Sequence, residues 1–172
     1  AISGQLNETA PIVRGNANWS TTVSGIHADY TYVRDWPVER GRDLTDADVR
    51  TGARVALLGS AVAKEIFPDE DPVGAAVRIT NVPFQIVGVL AAKGQSAMGR
   101  DQDDVVMVPM TTARARISGR TEVRNDRVGI VHLKVDPEFD MGETQEEVEA
   151  LLRQRRPTNR GTEDAFRVRN LA

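Results

Sequence analysis

The sequence has no cysteine among its 172 residues. Without a thiol the chain can form no disulfide, offers no cysteine nucleophile and cannot bind a metal through sulfur. This absence excludes disulfide-stapled scaffolds, cysteine hydrolases and cysteine-held zinc modules, and it leaves the redox compartment undecided.

Long apolar runs are also missing. The longest ones, at residues 86–92 and 105–110, are far shorter than the roughly 20 apolar residues that a helix needs to cross a bilayer. No segment with a basic start and an apolar centre opens the chain, so no secretory signal is predicted. Because the sequence starts at Ala1 as if inside an element and stops directly after a strand-like segment, we expect a fragment of a longer protein, although a processed mature chain would look similar.

Neither sign of charge is in large excess. The chain has 22 basic and 25 acidic residues, which gives a formal net charge of −3. This balance predicts no basic face of the kind that binds nucleic acid or an anionic membrane. Since 40% of the residues are hydrophobic, we expect a buried core in one domain or in two small, closely joined ones.

Sequence motifs for catalysis are missing as well. No glycine-rich phosphate loop followed by Lys and Ser or Thr occurs, so we expect no ATP binding by this chain. The two histidines, His27 and His132, stand in strand-like segments, where a hydrogen-bonded structural histidine is far more common than a catalytic base. We therefore predict no catalytic residue, no cofactor and no enzyme activity.

Two acidic clusters have the residue types of a cation site or a catalytic carboxylate pair. Asp101, Asp103 and Asp104 have the spacing with which calcium loops begin, but the glycine and the closing glutamate of such loops are absent. A second cluster, at residues 69–71, follows a proline that ends a helix and lacks the defined separation of a glycosidase pair. Both clusters are predicted to be solvated loops, and no metal site is predicted.

The apolar pattern alternates strands with short helices. Strands are predicted at residues 10–13, 19–26, 54–58, 75–79, 84–90, 105–108, 127–135 and 165–168. Helices are predicted at residues 45–52, from an N-cap at Ser60 to Pro68, after a cap at Thr111 and Thr112, and from a capping box at residues 144–147. The aromatic segment at residues 29–37 is predicted to pack into the core or at a subdomain junction.

A polar, glycine-bearing loop at residues 93–104 separates two of these strands. Loops of this kind often carry binding residues, although a mobile connection is an equally good interpretation. We predict that six residues of this loop contact a partner: Gln95, Ser96, Met98, Gly99, Arg100 and Asp101.

The order of several segments resembles a known family. The segments with the most information read RVALLG at residues 54–59, VAKEIFP at 62–68, DPVG at 71–74 and PFQIVGVL at 83–90. Further matches are APIV at 10–13, VSGI at 23–26, VRDW at 33–36, ERGR at 39–42 and KGQS at 93–96. In order and spacing, over about two thirds of the chain, they are similar to the extracytoplasmic core domain of MacB-type ABC transporter permeases.

The resemblance implies an α+β fold with two parts. Residues 1–35 and 122–172 would form a porter-like α/β subdomain, and residues 36–121 would form an inserted, mainly-β subdomain with short helices. It also implies a location on the extracytoplasmic, periplasmic face of the bacterial membrane, within an integral membrane protein.

The function implied by the resemblance is noncatalytic. The domain would couple ATP-driven motion of membrane helices to export of a substrate or to an extracytoplasmic partner. Its partners would be the membrane helices and the ATPase domain of the parent transporter, a second permease copy and, as a further candidate, a periplasmic adaptor protein. One alternative hypothesis is a small periplasmic ligand-binding module or hydrolase, which needs a pocket with convergent ionisable groups. Another is a stand-alone scaffold or adhesion module, which termini far apart would favour.

Overall fold

We describe the fold from a computed structural model, which defines residues 2–96, 98–117, 130–155 and 167–169. The chain divides into two units, Ala1–Leu133 and Lys134–Ala172.

The elements confirm the predicted mixture of strands and helices. The strands are β1 (Ile2–Arg14), β2 (Ala17–Ile26), β3 (Val38–Gly41), β4 (Val55–Leu58), β5 (Ala76–Ile79), β6 (Val82–Leu90), β7 (Val105–Pro109) and β8 (Ile130–Leu133). The helices are α1 (Tyr30–Val33), α2 (Asp46–Thr51), α3 (Ser60–Ile66), α4 (Met110–Arg116) and α5 (Met141–Arg155). The fold is therefore α+β, as expected.

Six strands of the first unit form a closed path. They pair in the order β2-β7-β4-β6-β5-β1, and β1 pairs again with β2, so the path returns to its start. We call this set the strand ring. Two strands extend it: β3 pairs with the end of β6, and β8 pairs antiparallel with the start of β1, where Ile2 lies opposite Leu133.

Strands β4 and β7 of the ring are buried along their whole length, which explains their unbroken apolar sequences. Ala56 and Leu58 of β4 belong to one hydrophobic cluster, whereas Val55 and Leu57 belong to a second one. Successive side chains of a strand point to opposite faces, so the two clusters lie on opposite faces of β4. The ring is therefore packed on both sides.

Helix α3 begins differently from the prediction. Its N-cap is Gly59, with no side-chain capping bond, so Ser60 is the first helical residue and not the cap. Glycine is required at this position because a Cβ on Gly59 would stand 2.1 Å from the carbonyl oxygen of Asp103. The helix ends at Ile66, just before Phe67 and Pro68, as the proline predicts.

Helix α4 also lacks the predicted cap. It starts at Met110 after Pro109, and Thr111 and Thr112 lie inside it. Their hydroxyl groups donate to the carbonyl oxygens of Val49 and Ala53 instead, which ties α4 to the end of α2. The predicted caps were wrong because these hydroxyls bond to another segment of the chain.

The capping box of α2 is confirmed. Thr45 accepts a hydrogen bond from the backbone N–H of Asp48, and the Asp48 carboxylate accepts one from the backbone N–H of Thr45. Arg42 adds an ion pair to Asp48 at 2.8 Å. The helix ends at Gly52, whose φ of 63° is the left-handed conformation that glycine adopts easily.

The second unit contains α5, which starts three residues before its predicted capping box. The carboxylate of Asp140 accepts a 2.9 Å hydrogen bond from the backbone N–H of Glu143, so the helix begins at Met141. The predicted start at residues 144–147 was wrong because Asp140 satisfies the free N–H groups earlier. Of the predicted closing strand at residues 165–168, only 167 and 168 lie among the described residues, and neither is in a strand.

A search of the described residues for a helix long and apolar enough to cross a membrane finds none.

Candidate partner-contact hairpin

The six residues predicted to contact a partner lie on one small hairpin between β6 and β7. Gln95 and Asp101 form an antiparallel bridge across it. The backbone N–H of Ser96 donates to the Arg100 carbonyl at 2.8 Å, and that of Gly99 donates to the Ser96 carbonyl at 2.8 Å. We call residues 95, 96 and 98–101 the contact hairpin; partner contact itself stays a prediction.

The outer end of the contact hairpin carries a large apolar side chain in solvent. Met98 is 78% exposed, the highest value among the large hydrophobic side chains of the described residues. Arg100 and Asp101 beside it are also exposed, whereas Ser96 is half-buried. The hairpin therefore presents one apolar group next to one charge of each sign.

The base of the hairpin is held by a buried carboxylate. Asp103 is 6% exposed and accepts hydrogen bonds from the backbone N–H groups of Lys93 at 2.7 Å and Gly94 at 2.9 Å. Its own N–H donates to the Asp101 carboxylate at 2.9 Å. The prediction that all three aspartates of this loop are solvated was wrong, because Asp103 completes the backbone hydrogen bonds of the hairpin base.

Asp104 is also structural. Its carboxylate accepts hydrogen bonds from the Trp19 indole N–H at 2.9 Å and from the Thr21 hydroxyl at 2.7 Å. These bonds tie the residue before β7 to β2. Within the described part of the chain no group of three or more His, Asp or Glu side chains could hold a metal ion.

Lys93 joins the hairpin base to the end of α1. Its ammonium group donates to the Arg34 carbonyl at 3.2 Å and lies 4.9 Å from the centre of the Trp36 ring. Burial lowers the pKa of Lys93, and the nearby Arg34 charge lowers it further, while Asp35 and Asp103 partly compensate. Trp36 is buried and donates its indole N–H to the Ala91 carbonyl, which confirms its predicted place in the core.

Sequence reasoning found the exposed residues of the hairpin but missed those that position it. Asp103, Lys93 and Gly59 act through backbone contacts between segments far apart in sequence. Only Gly59 has a local signal in the sequence. A glycine directly before a helix, where no turn requires it, indicates that another backbone segment passes close to it.

The histidines differ from each other. His132 lies in β8 and its Nε2 is 2.6 Å from the Gln5 side-chain oxygen, which confirms a hydrogen-bonded strand histidine. His27 is exposed and follows the end of β2, so its predicted strand position was wrong. The chain turns there towards α1, and Tyr30 N–H donates to the His27 carbonyl.

A groove of about 610 Å³ lies beside α3, β3 and the acidic turn at residues 69–71. The turn is exposed, as predicted, and its carboxylates pair with neighbouring cations: Glu70 with Arg14, and Asp71 with Arg40 at 3.8 Å. Arg14 also lies 4.3 Å from the centre of the Phe67 ring, which is buried and lines the groove. These ion pairs account for two of the three carboxylates of the acidic turn.

Comparison with known proteins identifies the family. The model of the MacB-like periplasmic core domain matches residues 1–151. The macrolide export ATP-binding/permease protein MacB of Wolinella succinogenes is 39% identical over 158 residues, which are 92% of this chain and 23% of that protein. The chain therefore spans less than a quarter of this curated relative.

Solved structures show the same fold. The periplasmic region of MacB from Actinobacillus actinomycetemcomitans matches with a TM-score of 0.75 and 24% identity, covering 90% of this chain and 66% of that one. The extracellular domain of the ABC-type transporter YknZ from Gram-positive bacteria matches with a TM-score of 0.73 and 21% identity, covering 98% and 80%. The chain belongs to the MacB-like periplasmic core domain family and is the periplasmic domain of an ABC transporter permease.

Proposed function

We propose that this domain transmits ATP-driven motion of membrane helices to an exported substrate or to an extracytoplasmic partner, and that the contact hairpin touches that partner. Neither step needs a reacting group in this domain. The work would come from an ATPase domain elsewhere in the parent transporter, and the domain would act as a moving body.

The pairing of β8 with β1 carries this proposal. Ile2 lies opposite Leu133 and Gln5 lies opposite Ile130, so the first unit begins and ends side by side on one strand pair. β8 leads on to the second unit, so motion that enters the domain through β1 would reach β8 directly and be passed on along the chain.

The hairpin base supports the choice of contact residues. Asp103 fixes the backbone at Lys93 and Gly94, and Lys93 in turn bonds to Arg34 at the end of α1. A loop held in this way loses less conformational entropy on binding than a free loop does. The contact hairpin is therefore suited to pass on a displacement of the strand ring.

The partners follow from the same proposal. They are the membrane helices and the ATPase domain of the parent transporter, a second permease copy, and a periplasmic adaptor protein as a further candidate. The division into a porter-like part (1–35 and 122–172) and an inserted part (36–121) also stays a proposal. Strands of both segments pair within the strand ring, so we expect the two parts to move as one body unless those pairs open.

The test uses the complete parent transporter in a macrolide-sensitive host, since a relative of this chain is named for macrolide export. We would replace Gln95, Met98, Arg100 and Asp101 by alanine and leave Asp103 unchanged. We expect this variant to retain its basal ATPase activity. We expect the host that carries it to lose resistance to the macrolide. Loss of both would point to misassembly, which the level of transporter in the membrane would reveal.

The matched control changes Asp46 and Arg50 of α2 to alanine, which removes the same two charges from another exposed segment. We expect this variant to behave like the unchanged transporter. If the hairpin variant also retains full resistance, the hairpin is not the contact. If the unchanged transporter gives no resistance, coupling is measured by labelling the thiol of a Met98→Cys variant with and without nucleotide. Equal labelling rates in the two conditions would contradict the proposal.

A further inference from the structure

Two positively charged side chains meet at the base of the contact hairpin. Arg34 is the residue at which α1 ends, and Lys93 follows β6. The Lys93 ammonium group donates a 3.2 Å hydrogen bond to the Arg34 carbonyl oxygen, and both residues are half-buried. We call these two residues the cation pair.

Arg34 has a hydrogen-bond donor that the fold does not use. Its Nε atom is buried and has no hydrogen-bond partner. Within the described residues no carboxylate forms an ion pair with its guanidinium group. A guanidinium group in a protein is always charged, so this donor needs an acceptor and this charge needs a counter-charge. A water molecule would satisfy the donor but not the charge.

The positive charges of the cation pair act on their neighbours. Burial lowers the pKa of Lys93, the Arg34 charge lowers it further, and Asp35 and Asp103 oppose these effects without reversing them. Burial likewise lowers the pKa of His132, and the charges of Arg34 and Lys93 lower it further, to about 4. The two carboxylates therefore do not cancel the positive charge on the side of His132, and a negatively charged ligand would be favoured there.

Both members of the cation pair are held in place by the fold. The Lys93 ammonium group lies 4.9 Å from the centre of the buried Trp36 ring, and the Lys93 backbone N–H donates to the Asp103 carboxylate at 2.7 Å. The Arg34 backbone N–H donates to the Tyr30 carbonyl at 2.9 Å. Burial raises the pKa of the Tyr30 hydroxyl, and the charge of Arg34 and a hydrogen bond from it partly lower that pKa. Groups that are ordered in this way lose little entropy on binding.

A carboxylate fits this donor set better than a doubly charged anion does. A guanidinium group binds a carboxylate through two parallel N–H···O bonds, and the neighbouring ammonium group can donate to the same oxygens. Asp35 and Asp103 act on Lys93 with two negative charges of their own. A single further negative charge is therefore better accommodated here than the charge of a phosphate dianion.

We propose that Arg34 and Lys93 form a binding site for one carboxylate group, which an acidic residue of an extracytoplasmic protein partner supplies. The site follows from the two side chains, and only the identity of the partner rests on the proposed function. Lys93 belongs to the loop that carries the contact hairpin. A partner that contacts Met98 at the outer end of the hairpin would present its carboxylate at the base.

The first test titrates the 172-residue chain with sodium acetate, which replaces sodium chloride at constant ionic strength. We expect the NMR signal of the Arg34 Nε–H group to shift and to saturate. We expect the pKa of Lys93 to rise, because a bound anion favours its charged form. One small carboxylate should bind weakly, with a dissociation constant above about 1 mM. Sodium phosphate in place of acetate should bind less tightly, and tighter binding of phosphate would overturn the choice of a carboxylate.

Three variants test the residues. Arg34→Gln removes the charge and the Nε–H group and should abolish the effect of acetate on the Lys93 pKa. Arg34→Lys keeps the charge but lacks the planar donors, so acetate should bind less tightly to it. Arg54→Gln is the matched control, since it removes the charge of an exposed arginine, and it should bind acetate like the unchanged chain.

Two results would overturn the site: no signal saturates, or the Arg54 variant loses binding to the same extent as the Arg34→Gln variant. If Arg34→Gln fails to fold, the Arg34→Lys variant decides. Acetate binding as tight as that of the unchanged chain would then contradict a role for the Nε–H group.

A pair of blocked tripeptides tests whether the site accepts a carboxylate carried by a protein. The peptide Gly-Glu-Gly should bind and Gly-Gln-Gly should not; acetate binding without binding of the glutamate peptide would overturn the protein partner. No transporter is needed, so failure of these tests leaves the hairpin experiment unaffected. Conversely, a hairpin variant that retains full resistance would remove the partner and leave the carboxylate site standing.

Discussion

The carboxylate of Asp103 lies beneath the contact hairpin and accepts a 2.7 Å hydrogen bond from the backbone N–H of Lys93. Nine residues, 94–102, lie between these two groups along the chain. This bond, together with the one to Gly94, closes the loop at its base.

Asp103→Ala should therefore loosen the contact hairpin. Two backbone N–H groups lose a charged acceptor in a buried place, and we expect a loss of about 1.5–3 kcal/mol in the free energy of unfolding. Urea denaturation measures this loss, and amide exchange at Lys93 and Gly94 shows where it occurs. Asp101→Ala is the control: its carboxylate is exposed and accepts one bond, so we expect about 1 kcal/mol or less. Equal effects of the two variants would argue against a clamp at Asp103.

Gly59→Ala should destabilise the first unit although alanine favours helices. Its Cβ would lie 2.1 Å from the Asp103 carbonyl oxygen and 2.8 Å from that of Val105, and both are backbone atoms that cannot rotate away. We expect a loss of about 1–3 kcal/mol by thermal or urea unfolding. Ser60→Ala, one residue along, removes a hydroxyl that caps nothing and should change stability by less than about 0.5 kcal/mol. A large loss of stability in the Ser60→Ala variant would instead support Ser60 as the N-cap of α3.

Asp140→Ala should shorten α5 from its N-terminus. The substitution removes the acceptor for the Glu143 N–H and should cost about 1 kcal/mol of local helix stability. Amide exchange at residues 143–146 reports the fraying. Glu147→Ala changes the last residue of the capping box that the sequence predicts at residues 144–147, and we expect no fraying there. Fraying in the Glu147 variant but not in the Asp140 variant would indicate that α5 starts at Thr144.

The α2 capping box should respond to strong acid. Burial raises the pKa of Asp48, but hydrogen bonds from Arg42 and Thr45 outweigh it and hold the pKa below 3.8. The contribution of this carboxylate to stability is thus present above pH 3.8 and is lost as the pH falls below that value. Carbon-detected NMR titration of the carboxyl measures the pKa directly. Asp48→Asn should remove the effect and Asp46→Asn should not; a raised pKa for Asp48 would contradict the box.

Local signals in the sequence were sufficient for the central elements. The apolar run of β4 is continuous because both of its faces are buried, and the proline after α3 stops that helix without help from distant residues. The capping box at Thr45 and Asp48 is likewise contained within four residues. Such elements could be predicted because their causes are adjacent in sequence.

Other elements depend on pairing across the chain. β3 has an exposed, charged sequence at residues 39 and 40, and it forms because β6 offers it hydrogen bonds at Val89 and Leu90. The first half of β1, whose polar residues were not predicted as a strand, is fixed in the same way by β8. The clamp at Asp103 belongs to this class, since a buried carboxylate and a solvated one look alike in sequence.

Closure of the strand ring has a consequence for the behaviour of this chain at high concentration. Strands with open edges can pair with other molecules and aggregate. Within the described residues the ring leaves such edges to its two added strands, and β3 has the protections that edge strands commonly show: four residues, charged Glu39 and Arg40, and a register shift between Val38 and Arg40. β8 has three exposed apolar side chains and no charge of its own. Any association through strand edges should therefore begin at β8 rather than at β3.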